Sequence, residues 1–231
     1  MYRVIIIDIS LIDSAVTTNA MHLLSPTELT RYKNYRHESD ARLFLFGRYL
    51  TKHLIASHTR QHPAAIVIVA DTMTEKPYER HHKVEFSISH SGNYVAVAVA
   101  IKPVGLDIQI HDQKDFTIFD TFFNNDERTY AHQSPRHFYQ LWTAIESLAK
   151  VTGLGFNESL KKRKTTIEKA VENFTLDDTL YVIHEPRVNE TLTLSIVTVE
   201  PVLFVPEQIN DLPGLDQAII YSASGNTDAA V

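Results

Sequence analysis

The chain has 231 residues, with 22 Lys and Arg against 28 Asp and Glu, a formal net charge of −6, and no cysteine. That length suits one large domain or two small ones, and it buries enough apolar surface to fold without a disulfide or metal staple. The acidic balance argues against a general nucleic-acid binder, and the lack of cysteine excludes disulfides, Cys-ligated zinc and thiol catalysis.

The first apolar run, Val4 to Ile7, is ended by Asp8. It is too short for a membrane helix or a signal segment and predicts a buried strand. With no longer apolar run elsewhere, a soluble cytoplasmic protein without a membrane partner is expected. Leu43, Phe46, Leu50 and Leu54 then recur at helical spacing and predict a helix over residues 40–57. Strands are expected over 65–70, 84–90 and 94–100. In the second of these, Val84, Phe86 and Ile88 alternate with Glu85, Ser87 and Ser89, as in a strand with one buried face. After a turn at Ser91-Gly92-Asn93, the small apolar run Val95 to Ala100 predicts a central strand buried on both faces.

Lys102-Pro103 breaks the strand pattern and sets the boundary between an N-terminal subdomain, residues 1–102, and a C-terminal one, residues 103–231. Beyond it, Val104, Leu106, Ile108 and Ile110 alternate with Gly105, Asp107 and Gln109. Period two puts Asp107 and Gln109 together on the face opposite the core. A second helix is expected over 136–152 and further strands over 165–168, 180–185 and 191–199. From Pro206 onward the tail carries Pro213, Gly214 and Gly225, and its last ten or so residues are expected to be poorly ordered. A helix followed by strands, twice over, predicts an α+β fold of two similar halves.

Several pieces carry polar chemistry. Asp107 and Gln109 on one strand offer oxygen ligands to a hard cation, and equally fit an ordinary polar strand face. Glu146 and Lys150 lie one helical turn apart, away from the apolar stripe of Phe138, Leu141, Ile145 and Leu148. They fit an exposed i,i+4 pair as well as a metal ligand or base beside a phosphate-neutralising ammonium. Ser87, Ser89, His90 and Ser91 end a strand at a glycine turn, which suits phosphate contacts or plain turn chemistry. A hydrolase built on these serines is disfavoured, because no Gly-x-Ser-x-Gly elbow is present. Lys76-Pro77 and the run Lys161, Lys162, Arg163 and Lys164 fit solvated surface, or in the second case a dock for an acidic partner.

Taken in order, Lys76-Pro77, Phe86-x-Ile88-Ser89-His90-Ser91-Gly92, Gly105-Leu106-Asp107-Ile108 and Trp142-Thr143-x-x-Glu146-Ser147-x-x-Lys150-x-x-Gly153-x-Gly155 resemble the 4′-phosphopantetheinyl transferases. The resemblance is to the larger monomeric type, that of the surfactin-synthetase-activating enzyme, which serves nonribosomal peptide and polyketide synthases. It also takes in the segment from Ser25-Pro26 through Asp40 to Gly47-Arg48, so it covers residues 25–160.

The resemblance implies two similar α/β halves related by a pseudo-twofold, with coenzyme A in the cleft between them and Mg²⁺ as cofactor. It implies that Asp107 and Glu146, with Gln109, hold the metal, and that Glu146 or a water it holds accepts the proton of the incoming serine. Ser89 and His90 would contact the phosphates of coenzyme A, Lys76 its adenosine end, and Lys150 the pyrophosphate as its bond breaks. Arg31, Lys33, Arg36 and Arg48 are further candidates for phosphate contacts. The implied partner is an apo acyl or peptidyl carrier protein, and the implied state a monomer. Three positions depart from the family pattern: Gln109 stands where the type enzyme has an acid, Ile145 where a lysine is usual, and Glu75 where a glycine is usual. The first two motivate an alternative, a non-catalytic paralogue that binds coenzyme A or a carrier domain.

Overall fold

The computed structural model describes residues 2–70, 76–81, 84–112, 115–155, 163–168, 170–207 and 219–223. Glu75, Lys161, Lys162 and the last eight residues lie outside them. The described chain divides into two units: it leaves the first after Ile101 and returns to it at Val205.

The first unit opens with β1 (Tyr2–Asp8), followed by α1 (Ser14–His22), α2 (Pro26–Lys33) and α3 (Glu38–Thr59). The short strands β2 (Ile68–Ala70) and β3 (Pro77–Glu79) pair with each other, and β4 (Glu85–Ser91) and β5 (Tyr94–Ala100) follow. The expected strand over 65–70 is thus half as long, because Pro63–Ala65 form a 3₁₀ turn before it. Helix α3 lays Leu43, Phe46, Leu50 and Leu54 on Ile5, Ile7, Val95, Val97 and Val99 of the sheet, and these residues make the unit's core. β5 lies between β1 and β4, and Val95 to Ala100 are all buried, as the unbroken apolar run predicts.

α1 and α2 were not expected from apolar spacing, since both are short and polar. Their signals are in the caps. Asp13 accepts the Val16 amide at the start of α1. At α2, the Glu28 amide donates to Ser25 Oγ (3.3 Å) while the Ser25 amide donates to Glu28 Oε2 (2.9 Å), a reciprocal capping box followed by Pro26.

The second unit runs β6 (Val104–Ile110), α4 (Asn125–Ala131), α5 (Pro135–Thr152), β7 (Lys164–Ile167), β8 (Val171–Leu176), β9 (Thr179–His184) and β10 (Leu192–Thr198). Among the described residues its sheet has the order β6-β10-β9-β8-β7, antiparallel throughout. α5 starts at Ser134 and Pro135 and ends at Gly153, whose φ of 73° is the left-handed geometry a glycine accepts. Phe138, Leu141, Ile145 and Leu148 of α5 are buried, and Phe116, Phe119 and Trp142 extend this core as an aromatic layer.

The tail corrects the sequence reading. β11 (Val205–Glu207) and β12 (Ile219–Ala223) join the first unit, where β12 pairs antiparallel with β1 in the sheet order β11-β12-β1-β5-β4. The expected C-terminal subdomain ran to residue 231, but Ile219-Ile220-Tyr221 is a strand-forming run that pairs with β1, and Tyr221 is buried; of the last ten or so residues, expected to be poorly ordered, all but Ser222 and Ala223 lie outside the described residues. No described helix is long and apolar enough to cross a membrane.

Candidate active site

In the second unit, β6 and α5 lie unusually close. A Cβ on Gly105 would stand 1.9 Å from the backbone oxygen of Ser147, so only glycine permits this approach. The helix is also pinned to β10 beneath it: Ser147 Oγ donates to the Ser195 carbonyl at 2.9 Å, and Thr143 Oγ1 lies 2.6 Å from Ser195 Oγ. The sequence hint for this was Thr143 and Ser147, polar residues one turn apart on a helix whose neighbouring positions are buried.

Asp107 and Gln109 therefore face α5 rather than an open side of the sheet, and Asp107 is only 2% exposed. Lys150 Nζ donates to Asp107 Oδ1 at 2.6 Å, and Gln109 Nε2 donates to Asp107 Oδ2 at 3.2 Å. Lys150 is thus tied to Asp107 and does not form the exposed helical pair with Glu146. Glu146, half-buried one turn before Lys150, is pushed up to about 7, first by burial and then by the charge of Asp107, with Lys150 acting the other way. Two carboxylates, an amide and an ammonium from distant parts of the sequence thereby converge. Among the described residues no group of three or more His, Asp or Glu could hold a metal by itself. A pair of carboxylates suits Mg²⁺, which keeps waters and takes substrate oxygens to complete its shell. Ile145 is fully buried in the α5 core and supplies nothing polar here.

In the first unit, a 470 Å³ cavity lies between α2, α3, β3 and β4 and is lined by Arg31, Asp40, Phe44, Arg48, Pro77 and His90 among others. The guanidinium groups of Arg31 and Arg48 both lie over the Phe44 ring, 5.1 and 5.2 Å from its centre. Arg48 is 8% exposed, and burial together with the neighbouring Arg31 pushes its pKa down against the pull of Glu28, 3.3 Å from its Nε. Glu28 also takes Lys52 Nζ at 2.7 Å, so one buried carboxylate answers two buried cations. Arg31 and His90 add further basic groups against one lining acid, Asp40.

The other expected phosphate contacts are dispersed. Ser89 is buried on the strand face opposite His90, because neighbouring residues of a strand point to opposite sides, and it does not line the cavity. Arg36 and Lys33 are exposed and also lie off the cavity wall. Lys76 sits beside the lining Pro77, and burial lowers its pKa while Glu85 raises it. Of the basic run, Arg163 is buried against Glu127 at 2.9 Å, which withdraws it from any docking surface; Lys164 is exposed. Lys52 and Phe44 were missed, since a lysine or phenylalanine within a helical stripe carries no sequence signal of its own.

Two family models match adjoining segments: 4′-phosphopantetheinyl transferase, N-terminal, over residues 14–102, and the 4′-phosphopantetheinyl transferase superfamily over residues 103–189. The chain belongs to the 4′-phosphopantetheinyl transferase superfamily. Among similar proteins, the 4′-phosphopantetheinyl transferase psf-1 of Bacillus pumilus is 32% identical over 134 residues, 55% of this chain and 57% of that one. The 4′-phosphopantetheinyl transferase Sfp of Bacillus subtilis (strain 168) is 25% identical over 59% of this chain and 63% of its own length. A phosphopantetheinyl transferase of a Thraustochytrium species is 26% identical over 63% and 58%. The aligned parts thus span less than two thirds of these relatives.

Proposed function

We propose that the protein is a Mg²⁺-dependent, cytoplasmic, monomeric enzyme that transfers 4′-phosphopantetheine from coenzyme A to a serine of an apo acyl or peptidyl carrier protein. In the reaction the serine Oγ forms a bond to the β-phosphorus, the bond from that phosphorus to the bridging oxygen breaks, and 3′,5′-adenosine bisphosphate leaves. The observation that carries this reading is the convergence of Asp107, Glu146 and Lys150, on a strand and a helix that only Gly105 lets approach so closely.

Asp107 and Glu146 are the residues that would hold Mg²⁺, with Gln109 as a neutral neighbour. When bound there, Mg²⁺ would offset the negative charge of the pyrophosphate oxygens. Glu146 takes the serine proton, either directly or through a water, and its pKa of about 7 suits a base working near neutral pH. Lys150 places positive charge at the pyrophosphate as the bond breaks. In the first unit, Arg31, Arg48 and His90 give the cavity the basic groups that a phosphate of coenzyme A requires. Lys76, at the edge of that wall, serves the adenosine end.

A second reading, binding without transfer, draws on Gln109 and on the burial of Ile145 where the family has a cation. One assay separates the two. Incubation with coenzyme A, Mg²⁺ and a panel of apo carrier proteins should add the mass of one phosphopantetheine to a carrier. Carriers that bind yet stay unmodified across the panel would favour the second reading.

A further inference from the structure

Asp107 is one of the two carboxylates of the proposed metal site, and both of its oxygens are engaged: Oδ1 by Lys150 and Oδ2 by Gln109. A divalent cation that takes Asp107 meets a positive charge 2.6 Å from its ligand oxygen. It must share that oxygen with the ammonium or displace it. The four side chains Asp107, Glu146, Lys150 and Gln109 together carry at most one net negative charge, a weak attraction for a dication. Gln109 contributes to this, because an acid there would add a second negative charge.

The two partners of the ion pair differ in freedom. The Asp107 side chain is 3% exposed and the Lys150 side chain 29%. The lysine has four rotatable bonds and can turn toward an anion arriving from solvent, whereas the carboxylate stays fixed on β6. A pyrophosphate would therefore do two things at once. It would offer Lys150 another negative partner, and it would bring oxygen ligands of its own to the cation.

On the Mg²⁺ reading given above, we infer that Lys150 has a second role, coupling the metal to the nucleotide: its ammonium withholds Asp107 from the cation until a pyrophosphate draws the ammonium away. Metal and coenzyme A then bind with positive cooperativity, and the factor by which each tightens the other is the same.

The test is Mn²⁺ binding to EDTA-treated, metal-depleted protein, followed by electron paramagnetic resonance with and without coenzyme A and corrected with a protein-free coenzyme A control. In the wild type, coenzyme A should tighten Mn²⁺ about tenfold. Lys150→Met should bind Mn²⁺ alone roughly five- to tenfold more tightly than the wild type, and the effect of coenzyme A should shrink to the part its own oxygen ligands supply. Lys150→Gln, which can keep a hydrogen bond to Asp107 without the charge, should do the same. A merely structural lysine would lower metal affinity when removed, or leave it unchanged. Either result in both variants, with melting curves that show them folded, overturns the inference. Asp107→Asn serves as the control on the metal site itself. If it abolishes Mn²⁺ binding while the Lys150 variants match the wild type, the coupling alone fails. If it leaves Mn²⁺ binding intact, the metal assignment fails, and the coupling with it.

Discussion

Lys52 donates to Glu28 Oε2 at 2.7 Å, an ion pair whose ammonium is 1% and whose carboxylate is 7% exposed. The same ammonium donates to the Leu23 carbonyl at 2.6 Å, and the other oxygen of Glu28 faces Arg48. Glu28 is at once the capping-box acid of α2 and the counter-ion for two buried cations, of which Arg48 lines the cavity. Glu28→Gln should therefore destabilise the protein by about 3–5 kcal/mol, the cost of leaving buried charge without its partner. Urea unfolding measures this. A loss under about 1 kcal/mol would mean that both cations reach water in the variant and are not held as described.

Gly105 yields a second stability prediction with a functional signature. A methyl group there would overlap backbone atoms of α5, with Ser147 O at 1.9 Å and Val151 N at 2.8 Å, and backbone cannot swing aside as a side chain can. Gly105→Ala should cost about 3 kcal/mol. The helix must back away and part Glu146 from Asp107, so that the two carboxylates no longer meet at one cation and Mn²⁺ affinity should fall with stability. A variant that melts like the wild type would show that α5 has room to spare.

Much of this was legible in the sequence, and the exceptions share a cause. The long helix α3, the doubly buried β5 and the apolar stripe of α5 announce themselves by period, because their burial is one-sided or complete. Asp107, Glu146 and Lys150 were found only through the order of motifs, since each alone fits ordinary surface. What no local pattern carried was tertiary. Period two put Asp107 on a polar face but did not reveal α5 lying on that face. Lys150 seemed the partner of Glu146 because helical spacing is visible in a sequence and a contact 43 residues away is not. The return of β12 to β1 is a pairing of chain ends, which no nearby residue signals. The roles of two buried glutamates, Glu28 and Glu127, which pairs with Asn124 in the capping box of α4, carry no local signal either, because their cations come from elsewhere in the chain.

The raised pKa of Glu146 predicts a pH dependence of metal stabilisation. Its native value, about 7, lies above the ordinary 4.5. The native state thus favours the protonated carboxyl: this contribution is fully present below about pH 4.5 and is lost as pH rises through about 7. Above that range two charged carboxylates face each other, and a divalent cation relieves the repulsion. The rise in Tm on adding Mg²⁺ should be larger near about pH 8 than near about pH 6. Glu146→Gln should flatten this difference. Equal Mg²⁺ shifts at both pH values in the wild type would remove Glu146 from the metal site.

The two basic and acidic constellations should fail differently when cut. Arg31 is exposed on α2 and lies against Phe44 at the cavity wall, so Arg31→Ala should leave stability nearly unchanged. If its guanidinium holds a phosphate of coenzyme A in ground state and transition state alike, its loss raises KM about tenfold and spares kcat. Asp107→Asn removes charge where it is needed as the pyrophosphate bond breaks, so kcat should fall at least about a hundredfold. Steady-state transfer to an apo carrier, with coenzyme A varied at saturating Mg²⁺, reads both. An Arg31→Ala variant with normal KM would take the cavity out of coenzyme A binding, whatever Asp107 does. An Asp107→Asn variant with normal kcat would remove the metal site from the chemistry even if the cavity effect holds.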